Sequence, residues 1–134
     1  MRTYKQKIEQ ITIIRDYLKT KLLTLTGFNN VLLTYGDIVN CTDFPFLVVL
    51  YMGGEREAVR ELGNDVLHYD ILLIDRIENE LTVLENTKTI AEFFEDYQLG
   101  GNCTKCTPSV PQIYYDEING VKNVQCVITL DIEI

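Results

Sequence analysis

Tyr4, Ile8, Ile11, Ile14 or Arg15, Leu18, Leu22 and Leu25 recur at every third or fourth position over residues 3–26. That spacing is the apolar stripe of an amphipathic helix. Thr3 suits the N-cap, and Gly27 suits the left-handed position just past the last turn. Six turns is long for a chain of 134 residues, so the helix is expected to span a whole sheet. The remaining residues must build the surface that its stripe covers.

They do so with a different period. Residues 31–35 read as a short strand, and residues 45–51, with the run Phe46-Leu47-Val48-Val49-Leu50, read as a buried one. A polar connection, 36–43, is expected between them. After Gly53-Gly54 the charged stretch 55–65 reads as a long exposed loop or a hairpin excursion. Residues 66–77 form the third strand, with Leu67, Tyr69, Ile71 and Leu73 on one face and His68, Asp70, Leu72 and Ile74 on the other. Thr82-Val83-Leu84-Glu85 has the form of a capping box. A second helix follows to about residue 97, its stripe made by Leu84, Thr87, Ile90, Ala91, Phe94 and Tyr97.

Residues 111–118 give a fourth strand, and Asn119-Gly120 is a hairpin turn signal. The last strand, 123–134, sends Val124, Cys126, Ile128, Leu130, Ile132 and Ile134 one way and Gln125, Thr129, Asp131 and Glu133 the other, so one face is buried. The order is α-β-β-β-α-β-β. This predicts a single α+β domain over 1–134, a mostly antiparallel sheet of about five strands with two helices packed on one face. The other face is expected to be partly polar or covered by a partner.

Charge is unevenly placed. Residues 1–26 sum to +4 and the rest to −12, for a net −8. A general nucleic-acid surface needs concentrated Lys and Arg, which the acidic body lacks. Either the acids keep the protein soluble, or the basic first element of one copy meets the acidic body of another. No apolar run reaches the about 18–20 residues needed to cross a membrane, and no signal-peptide pattern opens the chain. The expected place is a cytoplasm or a particle assembled there.

A search for chemistry ends empty, and no catalytic, cofactor or metal residues are assigned. The one histidine, His68, alternates within a strand and lacks the flanking residues of a nucleophile pair or triad. Cys103-x-x-Cys106 has metal or redox spacing, but a zinc site needs four ligands, and the pair lies in an expected loop before Pro108. With Cys41 and Cys126 it is read as unligated thiols. No glycine pair sits in a phosphate-binding pattern.

The long helix closing on Gly27-Phe28-Asn29-Asn30-Val31, the Phe44-Pro45-Phe46 strand, the strand from His68 to Ile74, the helix ending Ile90-Ala91-Glu92-Phe93-Phe94-Glu95 and the final hairpin together resemble the tail terminator or tail-completion proteins of long-tailed bacteriophages. The resemblance covers nearly the whole chain in order of elements. It implies a non-enzymatic virion protein, found in the tail or neck and assembled in the host cytoplasm. Copies would form a ring, usually of six, on the tail tube, ending tail growth and joining the tail to the head. Its partners would be its own copies, the tail tube protein, a head-completion or neck protein, and genomic DNA that passes the lumen without specific binding. Glu55, Arg56, Glu57, Arg60 and Glu61, with alternating charge, are the expected contact to a neighbour or to the tube. Lys5, Arg15 and Lys19, off the helical stripe, are expected to face an adjacent copy. The alternatives are another neck protein, such as a head-completion or stopper protein, and a cytoplasmic zinc-binding module built on the cysteines.

Overall fold

The computed structural model describes residues 3–28, 30–40, 43–56, 65–95, 97 and 99–134. Helix α1 spans Tyr4–Thr26. Thr3 caps it through its hydroxyl, which accepts from the Gln6 N–H, and the Gln6 side chain accepts from the Thr3 N–H at 2.8 Å, a complete capping box. Gly27 closes it at φ 67°, where a Cβ would be strained.

Strand β1 is only Val31–Leu32 and pairs parallel with β2, Phe46–Arg56. The expected strand 31–35 stops early because a short helix α2, Tyr35–Asn40, replaces part of the polar connection. Thr34 starts it, its hydroxyl accepting from the Asp37 N–H as an N-cap does. Strand β3, Asp65–Arg76, runs antiparallel to β2 out to the pair Arg56 and Asp65. The stretch read as a loop is therefore partly strand: Glu55 and Arg56 belong to β2, and the segment beyond, 57–64, lies outside the described residues.

A 3-10 turn, Ile77–Asn79, leads straight into α3, Glu80–Phe94. Thr82 is thus already inside the first turn, and the expected capping box at Thr82 is not the helix start. Asn79 precedes the helix without a side-chain cap. After α3 comes β4, Lys105–Pro108, where a loop was expected. It holds Cys106 facing the core opposite Ile132, and it stops at Pro108, which has no N–H to continue a ladder. Strand β5, Gln112–Ile118, and the long β6, Val121–Glu133, form the final hairpin. Its turn carries Asn119 at φ 50° and Gly120 at φ 79°, the two positive values of a type I′ turn.

The sheet has six strands, in the order β1-β2-β3-β6, with β4 and β5 sharing the far side of β6. Only β1 and β2 are parallel. The fold is α+β, as the sequence predicts, with one more strand and one more short helix. The core lies between the helices and one sheet face. Ile14, Leu18 and Leu22 of α1 and Val83, Ile90 and Phe94 of α3 meet Leu47, Val49, Tyr69, Ile71, Leu73 and the whole alternating set from Val124 to Ile134. The stripe of α1 is buried only in its middle and end, since Tyr4 is 81% exposed and Ile8 is also open. The other face holds a smaller apolar cluster, Phe46, Val48, Leu50 and Ile74, against which Ile38 of α2 packs.

Candidate functional site

The polar part of the second sheet face carries the only histidine. His68 and Asp131 stand directly opposite each other on β3 and β6, with Nδ1 and Oδ1 2.6 Å apart. One pair further along, the Thr129 hydroxyl donates to Asp70 Oδ1 at 2.7 Å. These are cross-strand pairs on a flat surface.

The cysteines have the opposite environment. Cys103, Cys106 and Cys126 are buried and free, and among the described residues no group of three or more His, Cys, Asp or Glu side chains gathers in a metal-binding cluster. Burial pushes the Cys103 thiol up to about 11 and the Cys106 thiol up to about 12, and it raises Cys126 too. All three are thus protonated thiols near neutrality rather than nucleophilic thiolates. Tyr17 is held at about 12, first by its 2.8 Å hydroxyl–hydroxyl contact with Tyr97 and then by burial.

These values set a pH dependence. A folded thiol raised above its ordinary 9.0 adds stability that is fully present below pH about 9 and is lost as pH climbs through about 11 to 12. The melting temperature is therefore expected to hold level up to pH about 9 and fall beyond it. Replacing Cys106 by alanine should flatten that alkaline fall, as read by circular dichroism melts across pH. A melting temperature that falls equally with and without Cys106 would contradict the assignment.

The features that stand out are instead surfaces. Among the described residues strand β5 pairs with β6 along one edge only, and residues 112–117 are exposed on both faces. Ile113 and Tyr115 stand opposite Cys126 and Val124, which places them on the helix-bearing face. The Tyr115 hydroxyl donates to the Glu80 carboxylate in the first turn of α3. Ile77 and Leu81 (77% exposed), at the start of α3, add open apolar area near this end. Large apolar side chains gathered in the open on a single chain point to a contact surface.

A second open area lies at the other end. Lys7 of α1 pairs with Asp65 at the start of β3, 2.6 Å apart. This brings the beginning of α1 to the far end of the β2–β3 hairpin. There Tyr4, Lys7, Ile11, Tyr51, Gly54, Asp65, Leu67 and Ile134 line a shallow hollow, and Ile8 and Met52 are also exposed. On the β2 side the edge is unpaired among the described residues past Val48, because β1 covers only Leu47 and Val48.

The interface residues expected from sequence fall unevenly on this map. Lys5 is exposed at the start of α1 and pairs one turn on with Glu9 at 3.7 Å. Glu55 and Arg56 end β2 at the same end of the sheet. Arg15, half-buried beside Asp16 at 3.4 Å, and Lys19 lie further along α1. Glu57, Arg60 and Glu61 lie outside the described residues. Sequence reasoning missed Ile77, Leu81, Ile113 and Tyr115. The signal was available: residues 112–118 place both apolar and acidic side chains on each face, so neither face of that strand is made for a core.

No family model matches the chain, and no curated protein does. Among solved structures, a chain of the virion of a native gene transfer agent particle has a similar fold. The TM-score is 0.55 at 12% identity, and the match covers 90% of this chain and 92% of that one. Among the described residues no helix is long and apolar enough to cross a membrane.

Proposed function

We propose that this chain is a non-enzymatic virion assembly protein of the tail-terminator kind, whose copies close into a ring, of six by preference, on the end of a phage tail tube. The ring ends tube growth and offers the surface that joins tail to head. The observation that carries this reading is the fold likeness to a chain of a phage-like virion, which extends over nearly the full length of both chains. The surfaces agree with it. Apolar residues lie open at two separate places, as a head-to-tail ring requires, because such a ring joins two different surfaces of each copy.

Its partners on this reading are its own copies, the tube protein and a neck or head-completion protein. The polar sheet face with Asp70 and Asp131 is a source of negative charge for a lumen through which DNA slides without sticking. That part fails if imaged rings carry Asp70 and Asp131 on the outer wall.

The test is light scattering of the purified chain over a concentration series, with electron-microscope images of the large species and of tail tubes mixed with it. A closed ring with an open centre, free or seated on tube ends, is expected. A compact dimer at every concentration that leaves tube ends bare would overturn the reading.

A further inference from the structure

We draw no further inference here: the strongest candidate, the open apolar area that Ile113 and Tyr115 of β5 form with Ile77 and Leu81 at the start of α3, belongs to the surface already described, and nothing in the structure shows what covers it.

Discussion

Replacing Tyr69 by alanine is expected to destabilise the domain by about 3–5 kcal/mol, the usual cost of emptying a large buried aromatic site. Tyr69 is fully buried in the middle of β3. Its ring packs against Tyr51 at 5.4 Å between centroids, and its hydroxyl donates to the Ile11 carbonyl of α1 at 2.5 Å. It is therefore the pin between the long helix and the sheet. Tyr69→Phe should cost only about 0.5–1.5 kcal/mol, the net worth of one hydrogen bond, since the Ile11 carbonyl lies within α1 and the helical ladder also serves it. Urea unfolding midpoints of the two variants separate the terms. Equal losses would mean that the hydroxyl rather than the ring holds α1 in place. Against a total stability of about 5–15 kcal/mol for a domain, the alanine variant sits near the limit of folding.

Ile128→Asp should be more severe, beyond about 4–5 kcal/mol, and leave no folded protein. Ile128 is fully buried and stands opposite Ile71 at the centre of the sheet. It lies where β6 changes partners from β5 to β4, and Ser109 holds that join by bonding the Thr129 N–H and C=O at 2.9 and 2.8 Å. A carboxylate there has no partner and no water. Ile113→Asp makes the same exchange one strand away, on β5, where the side chain is open to solvent. That variant should melt close to the parent and fail in assembly instead. Soluble yield and far-ultraviolet circular dichroism read the first effect, and light scattering reads the second. If Ile113→Asp also unfolded the chain, β5 would belong to the core and the surface assigned to it would be lost.

The contrast between these two isoleucines shows how far the chain could be read before its structure. Where local chemistry dictates the backbone, sequence and structure agree: Thr3 caps the first turn of α1, Gly27 ends it, and Asn119-Gly120 takes the positive φ values of a tight hairpin. The alternation from Val124 to Ile134 placed all six side chains in the core. These signals depend on neighbours within a few residues, so period and cap chemistry suffice.

The rest depended on partners distant in the chain. Lys105–Pro108 became a strand because β6 is longer than β5 and leaves an edge that β4 can pair. Val31–Leu32 ran parallel to β2 because α1 delivers it to that side of the sheet. The start of α3 moved to Glu80 because β3 passes into it through a single 3-10 turn. The surface assigned to assembly emerged in the same way. Nothing in Ile77, Leu81, Ile113 or Tyr115 alone distinguishes a core side chain from an open one. The exposure of Ile113 and Tyr115 follows from where two helices, long enough to cover β2, β3 and β6, leave β5 uncovered, and that of Leu81 from its place off the buried stripe of α3. A pattern along the chain specifies which side chains share a face, whereas which faces remain open depends on how far the layers overlap, and that is a property of the packed whole.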